Sequence, residues 1–249
     1  MTRVRRCRGW LAVLLLVTTA APVWADADDG DPLESINRKV FAFNDAVDRW
    51  FLEPVARGWD AVVPDPVQGA IERFFFNIDT PTVLANELLQ GKPKRAAITV
   101  TRFAFNTTFG VLGFFDPAAR WGLERGDEEF GQTLGVWGAP AGPYLMLPFF
   151  GPYTIRDGAG MCVDWVTAVY PFYTAGHHTI GASVVDTVNW RAQSLDTIDQ
   201  LRSTSLDFYA AVRNGYLQRR EAQIADSRDT AEEAEEDLYY FDEDEEPGP

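Results

Sequence analysis

Residues 94–111 read KRAAITVTRFAFNTTFGV, and the way this stretch sits decides the fold. On a helix, Arg95, Thr99, Arg102 and Asn106 form one narrow polar stripe, since they recur at spacings of four, three and four. Ala97, Ile98, Val100, Phe103, Ala104, Phe105 and Phe109 occupy nearly all the remaining surface. A helix lying on a water-soluble surface carries a much wider wet face. A thin polar seam on an apolar cylinder suits two settings equally: a helix in lipid with its seam turned to a cavity or partner, or a core helix with one solvated stripe.

The segment nearest the N-terminus of the body has the same character with more charge. Asp31-Pro32-Leu33-Glu34 reads as a helix start, with Asp31 as cap and Glu34 returning a capping-box bond. Ile36, Val40, Phe41, Phe43, Val47, Trp50 and Phe51 follow on one face, with Arg38, Asp45 and Arg49 opposite. Pro54 reads as the stop. Such a helix must meet water or protein on one side. Between Phe130 and Ile155 there are 26 residues without a charge, which hydropathy alone would take for a span. Pro140, Pro143, Pro148 and Pro152 argue against a regular helix there, and the poor alternation argues against a sheet. The segment is therefore a proline-braced wrap inside a globule, or the lining of a membrane-embedded body. Pro171-Phe172-Tyr173 and Phe114-Phe115-Asp116-Pro117 read as aromatic corners, and Gly110-Val111-Leu112-Gly113 as a turn or a close helix contact. A last helix runs from Thr204 to Gln218, with Thr204 and Asp207 as its cap.

The ends carry other messages. Arg3, Arg5, Arg6 and Arg8 precede a short apolar run and Pro22-Val23-Trp24-Ala25, the form of a secretory signal peptide cleaved after Ala25. Losing four arginines and no acids shifts the net charge from −15 to −19, which excludes a nucleic-acid footprint. From Glu221 to Pro249 there are 13 acids against Arg228 alone, so this tail should repel itself and stay unfolded, as a solvating segment or as a lure for a basic partner.

Catalytic sets are sought and not found. His177 and His178 are adjacent and point about 100° apart on a helix, unlike an i,i+4 metal pair. Cys162 sits among Met161 and Val163 and reads as a buried, inert thiol. Asp127-Glu128-Glu129 reads as a solvated loop. The sequence offers no enzyme and no cofactor.

Asp31-Pro32-Leu33-Glu34, Asn37-Arg38, Phe41-Ala42-Phe43-Asn44 and Pro54-Val55-Ala56 resemble the opening of the MlaA (VacJ) family of outer-membrane proteins. The likeness continues through Leu89-Gln90-Gly91, Arg102-Phe103, Asn106, Gly113-Phe114-Phe115-Asp116 and Phe130 to Gly135, then Gly142-Pro143-Tyr144, Gly151-Pro152, Arg156-Asp157 and Val163-Asp164. It implies an all-α, ring-like helical body embedded in or lying on a membrane, with Gly/Pro-rich irregular segments. It further implies a component of the intermembrane phospholipid transport system that maintains outer-membrane lipid asymmetry. Misplaced outer-leaflet phospholipids would pass through an amphipathic channel, beside a trimeric porin, to a periplasmic carrier protein. The alternative is a structural envelope protein that stabilises a porin without moving lipid. Residues 1–25 are then the signal peptide, 26–220 the helical domain and 221–249 the acidic disordered tail. The family is usually lipoprotein, yet Val23-Trp24-Ala25-Asp26 holds no cysteine, so the chain is not obviously acylated and its anchoring at the periplasmic face of the outer membrane is left to its apolar surface or the porin. Phe43, Asn44, Arg102 and Asn106 are expected to border the lipid path. Phe208, Tyr209, Tyr216 and Arg220 are expected to form the docking surface for the carrier.

Overall fold

Asp31 accepts hydrogen bonds from the Leu33 amide and the Asn37 side chain, each at 3.0 Å, and so gathers the first turn of α1 (Glu34–Val47) around itself. Glu34 turns to Arg38 at 2.6 Å instead of closing a capping box. The computed structural model describes residues 31–167 and 176–243, so the signal sequence and the Pro171-Phe172-Tyr173 corner lie outside the described residues.

The helical run does not stop at Pro54. A π-helical turn, Asp48–Leu52, widens the backbone ladder, and α2 (Glu53–Val62) then begins with Pro54 in its first turn, where a missing N–H costs nothing. α3 (Asp65–Leu89) has 25 residues and is about 37 Å long at 1.5 Å per residue. After a tight turn at Gly91, α4 (Pro93–Thr108) packs back along it.

The uncharged stretch is more regular than its prolines suggest. α5 (Phe130–Val136) finishes before Pro140, and β1 (Tyr144–Leu147) pairs antiparallel with β2 (Gly151–Thr154), Tyr144 facing Thr154 and Leu147 facing Gly151. Pro148 falls in the turn, and Pro152 is tolerated because both strands of a two-stranded ribbon are edges. α6 (Ile155–Thr167) follows and crosses α5 at Gly131 and Gly160, where a side chain on Gly160 would collide with the Gly131 backbone.

α7 (Gly176–Gln193) lies against α2, and α8 (Leu195–Thr204) leads into α9 (Phe208–Glu243). Thr204 ends α8 and does not cap the next helix. Asp207 does, accepting from the Ala210 amide at 3.1 Å. Helix α9 continues past Glu221, where the unfolded tail was expected to begin, and Ile224 is buried against the α5 backbone at Gly135. The body therefore extends beyond residue 220.

Two small apolar clusters anchor the whole: Ala56, Ala192 and Leu195 with Trp59, and Tyr144, Met146 and Tyr209 with Val40, Phe41 and Leu217. Elsewhere, apart from scattered residues such as Val83, Ala118 and Ile224, the interior is largely polar. Gln68, Lys92, Glu87, Asn86, Gln132 and Arg191 are among its most deeply buried side chains, whereas Phe109, Phe149, Phe150, Trp50, Trp121, Trp165 and Trp190 are exposed. Among the described residues, no helix is long and apolar enough to cross a membrane. Cys162, expected buried, is exposed, because its turn of α6 lies on this apolar exterior beside Val163 and Trp165.

Candidate functional site

The polar stripe of α4 points inward. Thr99, Arg102 and Asn106 are buried, while Val100, Phe103 and Phe109 are exposed. The Thr99 hydroxyl donates to Glu87 Oε1 at 2.9 Å. Arg102 donates to Asp116 Oδ2 at 2.7 Å and to the Leu123 carbonyl, and Asn106 donates to Asp116 Oδ1 at 3.0 Å. Burial opposes the charge on Asp116, but the Ala119 amide, Arg102 and Asn106 hold its carboxyl below the usual range. Between these groups and Arg73, Phe76 and Arg125 lies a cavity of about 20 Å³, room for one water. Gly110 to Gly113 form a strained turn over this end: Val111 and Leu112 hold φ of 53° and 58°, and their side chains face outward.

The predicted lipid-path residues on α1 serve the hairpin. Asn44 donates to the Leu147 carbonyl and accepts from the Phe149 amide, both at 2.9 Å. Two turns earlier, Asn37 does the same for the Tyr144 carbonyl and the Met146 amide, also at 2.9 Å. Phe43 is exposed and meets Phe149 edge to face at 5.3 Å. Asn44, Arg102 and Asn106 thus fix loops with their polar atoms, and only Phe43 presents its side chain outward. The sequence placed all four on one path; the structure puts the first two at the hairpin and the last two at the α3–α4 corner.

The expected docking residues also turn inward, because α9 is pinned to the body by them. The Tyr209 hydroxyl donates to Asp31, and Tyr216 donates to Asp157 at 2.6 Å. Arg220 bridges Glu129 at 3.1 Å and Asp157 at 3.3 Å. Phe208 packs edge to face on Phe41. Tyr209 and Arg220 are buried and Phe208 and Tyr216 half-buried, so their polar atoms and rings are engaged in holding α9 to the body.

Sequence reasoning missed the cleft between α3, α6 and the 125–129 loop. It encloses about 400 Å³ and is lined by Phe76, Asp79, Val83, Arg125, Tyr153, Met161, Asp164 and Trp165 with Asp127, Glu128 and Glu129. Its lining mixes apolar side chains, Phe76, Val83, Met161 and Trp165, with acidic ones from the same helices and from the 125–129 loop. Burial, with the Asp186 charge nearby and only Arg125 opposing, pushes Asp79 up to about 6. Asp186 is raised too, by burial and then by Glu72. Of the three consecutive carboxylates, Asp127 and Glu129 are exposed, as in a solvated loop, but Glu128 is buried and pairs with the buried Lys92 at 2.6 Å. Asp164, whose carboxyl burial raises against the hydrogen bonds it receives, takes the Phe130 amide at 2.8 Å and Asn86 at 3.2 Å, joining the cleft wall to α5 and α3. Periodicity did not single out Asp79, Asp164 or Asp186: α3 also carries Asp65, Glu72 and Glu87, and α6 also carries Asp157, so the acids of the cleft look like any others on their helices.

A third network braces α1 and α2 against α7 and α8. Arg191 grips Asp48 at 2.8 and 3.0 Å, and Arg202 reaches Asp45, Asp48 and Glu53 at 3.0, 3.1 and 3.2 Å. Burial disfavours a charged Asp48, yet the two guanidiniums keep its carboxyl below the ordinary range.

Ion pairs such as Arg102–Asp116 and Arg191–Asp48 lie in the interior while many aromatic residues face outward. Exposed apolar surface of this extent marks contact with a membrane or a partner, and the class is that of mainly helical, membrane-associated bodies with a polar interior. The family model described as MlaA lipoprotein matches residues 29–223. The chain is similar to the intermembrane phospholipid transport system lipoprotein MlaA of Escherichia coli (strain K12), 37% identical over 215 residues and 85% of each chain. It is 35% identical to the protein of that name from Haemophilus influenzae, over 81% of this chain and 82% of the relative. A solved structure described as the structural basis for maintenance of bacterial outer membrane lipid asymmetry superposes with a TM-score of 0.71, at 37% identity, over 79% of this chain and 100% of that one. The chain belongs to the MlaA family. Its relatives are named lipoproteins, so setting this chain apart from acyl-anchored members is not borne out.

Proposed function

We propose that this chain is a component of the intermembrane phospholipid transport system of the outer membrane, seated in the periplasmic leaflet, and that it passes misplaced outer-leaflet phospholipids inward without chemistry of its own. The observation that carries this reading is the inverted body with an amphipathic cleft. A phospholipid crossing a leaflet needs a wet surface for its head group and an apolar one for its chains. The cleft supplies both, since Asp79 and Asp164 line it together with Phe76, Met161 and Trp165. Family membership supports the same reading, and the trimeric porin and periplasmic carrier protein are the partners it proposes.

Photo-crosslinking from Thr82, Tyr153 and Met161 in living cells tests the path, with bound phospholipid expected at the cleft and none from exposed Ser203. A strain lacking the chain should accumulate phospholipid in its outer leaflet at unchanged porin level. Unchanged surface phospholipid with lost porin would instead support a structural role without lipid movement.

A further inference from the structure

In a body this acidic, nearly every arginine is matched to a carboxylate. Arg38, Arg57, Arg102, Arg191, Arg202 and Arg220 all make ion pairs. Arg73 and Arg120 are different, as is Arg213, whose guanidinium lies over the Tyr144 ring instead. Among the described residues neither Arg73 nor Arg120 ion-pairs with a carboxylate, and the only hydrogen bond of Arg73 runs from Nε to the Phe114 carbonyl at 3.1 Å, leaving its terminal nitrogens free. Both line one open cleft of about 450 Å³ at the α3–α4 corner, together with Phe109, Phe115, Asp116 and Pro117. Asp116 does not neutralise them, because its two oxygens are taken by Arg102, Asn106 and the Ala119 amide.

The rim of this cleft is apolar and outward-facing: Phe109 is 69% and Phe115 62% exposed, with Val111, Leu112 and Trp121 beside them. Two unpaired guanidiniums beneath an exposed aromatic rim match a phosphodiester carrying acyl chains. Arginine recognises phosphate through its fork of donors, while the chains cover phenylalanine surface that otherwise meets water. The position also connects inward. Arg73 and Asp116 belong both to this cleft and to the water-sized cavity behind it, and Phe76 and Arg125 of that cavity belong to the acidic cleft.

We infer that the Arg73–Arg120 cleft is a binding site for the phosphate of a membrane phospholipid, with its chains lying over Phe109 and Phe115. The inference rests on the phospholipid-handling reading above and adds a head-group site on the outer face of the body. Net positive charge there favours an anionic head group, whereas the acidic cleft favours one that carries an ammonium.

The test titrates the full chain in detergent micelles with dihexanoylphosphatidylglycerol, dihexanoylphosphatidylcholine and inorganic phosphate. Wild type should bind the phosphatidylglycerol saturably and more tightly than the other two. Arg120→Gln should weaken it about tenfold, and Arg73→Gln with Arg120→Gln by about a hundredfold, one charge-assisted contact being worth roughly a factor of ten. Phe109→Ser with Phe115→Ser should weaken the lipid and leave inorganic phosphate unchanged. Arg120 is exposed and holds no partner, so its variant keeps the fold even if the Phe114 loop suffers without Arg73. Equal lipid binding by Arg120→Gln and wild type overturns the site, as does inorganic phosphate binding as tightly as lipid. If the acidic cleft still crosslinks phospholipid in either case, the wider reading stands and this proposal alone fails. If neither site takes phospholipid, the transport reading fails with it.

Discussion

The cluster where the hairpin meets α1 and α9 and the α3–α4 corner place their aromatic and arginine side chains in opposite senses. At the hairpin, Tyr144, Met146 and Tyr209 are buried with Val40 and Phe41 beside them, and Arg38 stays outside, paired with Asp207. At the corner, Arg102, Asn106 and Asn77 are buried, and Phe103, Phe109 and Phe115 stay outside. Water drives the first arrangement, because apolar area leaves it at roughly 25 cal/mol per Å². It cannot drive the second. Buried polar groups at the corner cost free energy unless paired, and exposed phenylalanines gain nothing in water. The membrane seating proposed above accounts for the corner, because in hydrocarbon aromatic surface is at ease and polar groups must find partners within the protein.

The largest test of that contrast is Arg102→Met. It leaves Asp116 without its cation, and breaking a largely buried pair should cost about 3 kcal/mol in detergent-solubilised protein, read by denaturant unfolding. Asn37→Ala follows at about 2–3 kcal/mol, since it unpairs Asp31, the Tyr144 carbonyl and the Met146 amide together. Asn44→Ala, half-buried at the hairpin turn, should cost only about 1 kcal/mol. Replacing Phe109 and Phe115 by serine should change stability in detergent by about 0.5 kcal/mol or less while lowering partition into vesicles. A loss of several kcal/mol there would make the corner an ordinary core and erase the comparison.

The smallest effect concerns pH, because Asp79 stays open to solvent, which screens its charge. Its carboxyl is pushed up to about 6 from 3.8, so the folded state holds the extra proton between those values and stability falls slightly as pH rises through that window. Asp79→Asn should therefore raise the melting temperature above pH 6 and leave it unchanged below pH 4. A variant curve parallel to wild type across the window would place Asp79 in ordinary solvent.

Much of the fold was legible locally. The helical periods of α1 and α4, the last helix and the turn at residues 110–113 all came from spacing and glycine. The site was harder to read. Arg102 and Asn106 were visible as a stripe, but Asp116, the group they hold, gave no sign of its role. Asp79 went unread and Asp164 was seen only as part of a motif, because a cleft formed by three segments leaves no period in any of them. Prolines misled twice: Pro54 is absorbed by a π turn, and Pro152 by the free edge of a ribbon.

What the sequence determined alone is which residues share a face, since 3.6 residues per turn fixes that whatever surrounds the helix. It also carried enough ordered motifs to give the family. What only the tertiary structure decided is the direction each face looks. Periodicity is unchanged by turning a helix over, and the choice was made by partners far along the chain, such as Asp48 for Arg191 and Asp31 for Tyr209. Those pairings set the polar stripes inward and left the aromatic residues outside.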